Sequence, residues 1–246
     1  MRLEGLRPHP GPTLDADRVR PPGAKSGALR AAIFGVNDGL VSNLSLIMGI
    51  AGAIGQNRII ILAGVAGLLA GAFSMGAGEY ISMRGQRELF ERLLHLEAHE
   101  LATEPEEERA ELERIYEDRG YPPALAREVA EVVMRDPQVA LETHAREELG
   151  LDPAELGSPW GAAVSSFLTF SLGAAVPLVP FAMASGVTAV VASVLASGTA
   201  LFAVGATMSR FTGRRLLWSG TRMLLVGGIA ATVTFLVGKL VDVGIA

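Results

Sequence analysis

Residues 31–55 read AAIFGVNDGLVSNLSLIMGIAGAIG, and from Ala31 to Gly55 the only charge is Asp38. As a helix rising 1.5 Å per residue this run spans roughly 37 Å, more than the ~30 Å hydrocarbon core of a bilayer. Similar runs follow. Ile59–Met83 holds one charge, Glu79; Trp160–Ala184 and Ser185–Ser209 hold none; Leu216–Gly238 holds Arg222 alone. No soluble fold needs five such runs, so the expected class is all-α: a polytopic membrane protein with five transmembrane helices. The first run is not a cleaved signal peptide, because it is too long, follows a hydrophilic leader and precedes four more.

The rest of the 246-residue chain is partitioned by charge. Residues 84–158 carry 20 acids and 9 bases, a net of −11, whereas the remainder carries 6 acids and 12 bases, a net of +6. This gives four segments: a Pro- and Gly-rich leader at 1–29, read as disordered; transmembrane helices 1–2 at 30–83; an acidic insert at 84–158; and transmembrane helices 3–5 at 159–246. Lys and Arg set the orientation. Arg18, Arg20, Lys25 and Arg30 precede the first run, Arg84, Arg87 and Arg92 follow the second, and Arg210, Arg214 and Arg215 separate the fourth from the fifth. The intervening flanks hold only Arg58, nothing near Ala184, and Lys239. The alternation puts the leader and the insert in the cytoplasm and the C-terminus on the far side. The absence of cysteine excludes disulfides, thiolate metal sites and Cys nucleophiles.

A carboxylate eight residues into a membrane helix needs a partner, a cavity or an ion path. From Asp38, Ser42, Ser45 and Gly49 follow at helical spacing, with Asn37 and Asn43 nearby. The second run has a matching series, Gly71, Met75, Gly78 and Ser82, with Glu79 one turn after Met75. Small-polar stripes let two helices approach and enclose a polar track. The competing reading makes Asp38, Met75 and Glu79 packing residues. Carboxylates with a thioether suit a divalent first-row metal. Pro177 and Pro180 mark a kink or break in the third run. The pairs Gly64/Gly67 and Gly227/Gly228 read as tight helix packing.

The insert reads as three or four helices. Arg87–Leu101 is the first. Thr103-Glu104-Pro105-Glu106 resembles an N-cap, an early proline and a capping-box glutamate for the second. Pro122-Pro123 opens a third over about Ala124–Arg135, and Asp136-Pro137 starts a fourth ending near Gly150. Glu97 and Glu100 share a helix face, as do Glu108 and Glu111, and Met134, Glu142 and His144 lie further along. Such pairs on facing helices build carboxylate metal sites, although a Glu-rich helix is more often a solvated face. His95 and His99 are spaced like a zinc helix but lack its glutamate at the required place.

Three stretches carry a family resemblance: Arg30-Ala-Ala-Ile-Phe-Gly-Val-Asn-Asp-Gly-Leu-Val-Ser42, Ala70-Gly-Ala-Phe-Ser-Met-Gly-Ala-Gly-Glu-Tyr-Ile-Ser82, and the last span with its lead-in from Ala200 to Phe235. Over about residues 29–243 the chain resembles the vacuolar iron transporter family, which includes bacterial members. The resemblance implies five transmembrane helices and a homodimer with the ion path between the two first helices. It also implies exchange of cytosolic Fe²⁺ for protons, with Mn²⁺ or Zn²⁺ as further cargo. Carried over by motif, Asp38 and Met75 are the intramembrane ligands and Glu79 sits at the cytoplasmic mouth. Glu97, Glu100, Glu108 and Glu111 match the metal-collecting glutamates, Met134 is their companion, and Glu142 is a further candidate. The Thr103–Pro105 break interrupts the long helix that carries all four glutamates in plant relatives.

The expected function is thus a proton-coupled divalent metal antiporter moving metal out of the cytosol. Metal must displace a proton from Asp38 to bind its carboxylate, and that competition is the simplest basis for antiport. Its partners are divalent ions, protons, the lipid bilayer and a second copy, with no nucleic acid and no tightly bound cofactor. The expected location is a bacterial cell membrane. The alternative is a membrane-tethered cytosolic metal buffer or sensor without transport. An enzyme is not expected. A di-iron oxidase bundle needs Glu three residues before His, and Arg92, Leu96 and Leu141 stand there instead for His95, His99 and His144.

Overall fold

The computed structural model describes residues 24–151 and 157–245, and all regular structure among them is helical. In chain order the helices are α1 (Ala24–Ala53), α2 (Asn57–Thr103), α3 (Pro105–Asp118), α4 (Pro123–Val133), α5 (Pro137–Glu147), α6 (Pro159–Ala175), α7 (Val179–Met183), α8 (Gly186–Thr212) and α9 (Leu216–Ile245). The reading of 1–23 as disordered lies outside the described residues, whereas 24–29 already belong to α1.

Four helices are long and apolar enough to cross a bilayer: α1 over Ala31–Ala53, α2, α8 over Gly186–Arg210 and α9 over Leu216–Val241. Their outer faces are apolar and exposed, with Val187 at 80% and Leu240 at 73%. That much uncovered apolar surface is suited to lipid rather than water. Tyr80 and Trp160 stack at one edge of this belt, ring centroids 4.8 Å apart, where amphipathic rings favour the membrane interface.

The packing is built around α1, with α6 on one side and α9 on another. Glycine makes this close approach possible. A Cβ on Gly39 would collide with the Phe170 carbonyl of α6, and one on Gly238 of α9 would collide with the Gly49 carbonyl of α1. Gly49, read as the small member of the stripe on α1, is thus where α9 comes close. Of the expected packing pairs, Gly64, Gly67 and Gly227 do meet neighbouring side chains, but a Cβ on Gly228 would meet nothing within 4 Å.

The third apolar run is not one helix. α6 has 17 residues and ends at Ala175. Pro177 and Pro180 have no N–H, so the i→i−4 ladder cannot continue. Tighter bonds replace it, from Val176 N to the Gly173 carbonyl and from Leu178 N to the Ala175 carbonyl. Three carbonyls lose their helical donors, and each receives a side chain from a different helix. Asn43 Nδ2 of α1 donates to Ala174 (2.6 Å), Ser193 Oγ of α8 to Pro177 (2.7 Å) and Asn57 Nδ2 of α2 to Phe181 (2.7 Å). Inside a bilayer, broken backbone persists only where protein satisfies it in this way.

The acidic segment corrects one expectation. Arg87–Leu101 is not a separate helix: α2 runs unbroken for 47 residues, roughly 70 Å. Nor does the expected capping box form. The Thr103 hydroxyl donates back to the His99 carbonyl, and Glu104 breaks the chain with φ −131° and ψ 46°, without a side-chain cap. Pro105 then opens α3, as N-terminal proline should. The Asp136 cap does form, accepting from Gln138 N and Val139 N, though α5 stops at Glu147. A small core of Leu112, Tyr116, Ala126 and Ala130 joins α3 to α4, while α5 packs on α2.

Candidate functional site

Two polar sites lie along α2. The first is a cleft of about 230 Å³ between α1 and α2, closed by Phe170 of α6. Asp38, Ser42 and Asn43 line it from α1, and Gly71, Ser74 and Met75 from α2. The Asp38–Ser42 edge and the Gly71–Met75 edge face each other because both repeat at helical spacing. Glycine at 71 leaves room for Phe170, whose ring would have to shift to admit a Cβ there. Ser42 donates its hydroxyl to the Asp38 carbonyl, leaving its lone pairs free. The cleft thus offers one carboxylate, one thioether and neutral oxygens. Glu79 is half-buried one turn beyond Met75 and does not line it.

The second site is formed by α2, α3 and α5. His144 is fully buried on α5. Its Nδ1 lies 3.2 Å from Glu97 Oε1, 3.5 Å from Glu108 Oε2 and 3.8 Å from Glu148 Oε2. One ligand atom from each of these four residues falls within 4.8 Å of all the others. Glu97 is 3% exposed, yet its Oε1 and both ring nitrogens of His144 lack hydrogen-bond partners. Orphaned buried polar atoms converging on a point are a donor set awaiting an acceptor of electron pairs.

Electrostatics point the same way. Burial, with the charges of Glu148, Glu108, Glu100 and Glu111, pushes Glu97 up to about 7. Burial and neighbouring acids, Glu111 first, also raise Glu108 and Glu148, the latter opposed by a hydrogen bond with Glu97. Burial lowers His144 despite the opposing charge of Glu111, so burial works against charging the imidazole. A neutral imidazole among crowded carboxylates favours protons or a cation over bare negative charge. A divalent first-row ion suits such a mixed O/N set.

Of the residues expected from sequence, Asp38 and Met75 meet in the cleft, and Glu97 and Glu108 in the cluster. Glu100 is exposed and Glu111 half-buried; both act on the cluster by charge but stand outside its four-residue set. Met134 caps α4 and Glu142 accepts from Gln138 Nε2 (3.3 Å); neither belongs to the set. His144 and Glu148 were missed as ligands. Glu148, the C-cap of α5, follows His144 by four residues and so lies on the same face, and a search for Glu four residues after His would have found them.

The chain matches the model of the VIT family over residues 29–239. Vacuolar iron transporter 1 of Arabidopsis thaliana is 33% identical over 215 residues, covering 87% of this chain and 86% of that protein. The vacuolar iron transporter of Acanthamoeba castellanii is 33% identical over 230 residues, or 93% and 84% of the two chains. Vacuolar iron transporter 1 of Oryza sativa subsp. japonica is 31% identical over 215 residues, covering 87% and 85%.

Proposed function

Because the chain belongs to the VIT family, we propose that it is an integral membrane metal transporter, not an enzyme, that moves Fe²⁺ out of the cytosol in exchange for protons. Mn²⁺ is within reach of the same ligands. The observation that carries this reading is the cleft, where Asp38 of α1 and Met75 of α2 line one cavity. A structural carboxylate in a membrane helix would be packed against a partner; this one borders open space beside a thioether.

In this reading the chain crosses the membrane five times, the broken α6–α7 unit being the third crossing. Residues 84–158 form a cytoplasmic metal-collecting domain inserted after α2, the N-terminus is cytoplasmic and the C-terminus lies on the far side. A second copy completes the path as a homodimer, and the membrane is the bacterial cell membrane. Metal gathered by Glu97, Glu108, His144 and Glu148, with Glu100 and Glu111 supplying field, passes Glu79 to Met75 and Asp38. At the carboxylates metal takes the place of a proton, whereas the Met75 thioether binds it without proton exchange. The buffer reading keeps the cluster and makes the cleft irrelevant.

The test is Fe²⁺ flux into proteoliposomes under an imposed pH gradient, with wild type beside Asp38→Asn. Flux that follows the gradient and disappears in the variant supports the antiporter. Metal binding without flux in wild type returns the protein to the buffer reading.

A further inference from the structure

Asn43 belongs to both the broken helix and the cleft. It follows Asp38 by five residues, about 7.5 Å further along α1, and is 2% exposed. Its Nδ2 donates to the Ala174 carbonyl at 2.6 Å. A carbonyl only accepts, so chemistry fixes the amide: the NH₂ faces α6 and Oδ1 is turned elsewhere. Oδ1 has no hydrogen-bond partner. It points toward α2 at Gly67, where an added Cβ would stand 3.1 Å from it, and both residues line the cleft.

Satisfying Ala174 needs only a donor. Ser193 does the equivalent for Pro177 with a hydroxyl and leaves no oxygen in the cleft. The amide oxygen of Asn43 is therefore surplus to holding the broken helix; Asn57, the third tie, also leaves its Oδ1 without a partner, but only the oxygen of Asn43 belongs to a residue lining the cleft. We propose that Asn43 Oδ1 is a cation ligand of the path, a neutral oxygen that replaces a hydration water as a divalent ion moves from Asp38 toward the far end of α1. Amide oxygen is an ordinary ligand for hard and borderline divalent ions. Because it is uncharged, it eases desolvation without adding a second full charge to hold the ion back. The bond to Ala174 holds the oxygen in place before the ion arrives. This proposal rests on the transport reading.

The test measures initial Fe²⁺ and Mn²⁺ flux against concentration in proteoliposomes of wild type, Asn43→Leu, Asn43→Asp and Ser193→Ala. Asn43→Leu keeps the branched shape with a bulkier apolar end and removes both the oxygen and the donor to Ala174, the second loss being what Ser193→Ala controls for. Its maximal flux is expected to fall about tenfold or more, at the low end of ligand-shell losses. Asn43→Asp keeps an oxygen and adds charge, so the half-saturating concentration should fall together with maximal flux. Ser193→Ala removes a comparable tie to the broken helix without touching the cleft and should stay within about twofold of wild type on the same scale. Equal losses in Asn43→Leu and Ser193→Ala, or an unchanged half-saturating concentration in Asn43→Asp, would make Asn43 a tie to α6 only. Wild-type flux with Asn43→Leu unaltered sinks the ligand role alone, whereas no flux in wild type sinks the transport reading and this one with it.

Discussion

The cleft and the cluster are both polar sites on α2, and they hold charge in opposite ways. In the cleft each copy contributes a single carboxylate, Asp38, beside Met75 and neutral oxygens. In the cluster three carboxylates and an imidazole crowd within 4.8 Å. Dense negative charge binds a divalent ion deeply and releases it slowly; sparse charge binds it shallowly and lets it go. On the proposed transport reading, an acidic collector would feed a lightly charged passage. The reverse order would trap metal inside the membrane.

Four experiments bear on this contrast. The largest effect is expected from Asp38→Asn, which should bring proteoliposome flux to the protein-free background while calorimetric metal binding by the cluster is kept; loss of both together would break the division of labour. Next, Glu97→Gln combined with His144→Ala should weaken cluster affinity by about 10–100-fold. Maximal flux at saturating metal should hold, so that only the flux at low metal drops.

A subtler effect concerns pH. Folding raises Glu97 from 4.5 to about 7, so between those values the native state holds a proton that the unfolded chain has lost. Its contribution to stability is complete below that window and disappears as pH rises through it. His144, lowered on folding, works in the opposite sense as pH falls through its own range. Glu97→Gln should therefore flatten the loss of thermal stability of the metal-free protein between pH 4.5 and about 7, as read by unfolding temperature. A wild-type slope retained in the variant would place the proton elsewhere. The smallest effect is expected at Glu142, which is outside the cluster: Glu142→Gln should change affinity by less than about twofold, the scale of a surface contact.

The sequence made the cleft legible and the cluster only half so, for physical reasons. Asp38 and Met75 could be paired on paper because each lies in a stripe set by helical periodicity, and adjacent antiparallel helices bring such stripes together. Glu97 and Glu108 stood out by composition. His144 and Glu148 did not, since what brings them in is the packing of α5 on α2, a tertiary contact. The continuity of α2 was also hidden. Its surroundings change from lipid to water after Met83, so its side chains change from apolar to charged, yet Arg, Glu and Leu keep a high helix propensity and the backbone continues. Glu104-Pro105 was read as a boundary and is one, although the expected reciprocal cap is replaced by a bare turn.

That unbroken helix has a mechanical consequence. Glu97 and Met75 lie 22 residues apart on one rod, about 33 Å. No proline interrupts that interval as one does in α6–α7, and the helix stays continuous through Gly76, Gly78 and Gly85. A twist or slide imposed at one end therefore arrives at the other as the same twist or slide. On the proposed transport reading, loading the collector and shifting a wall of the passage become two readings of one lever arm, since α2 is continuous between them.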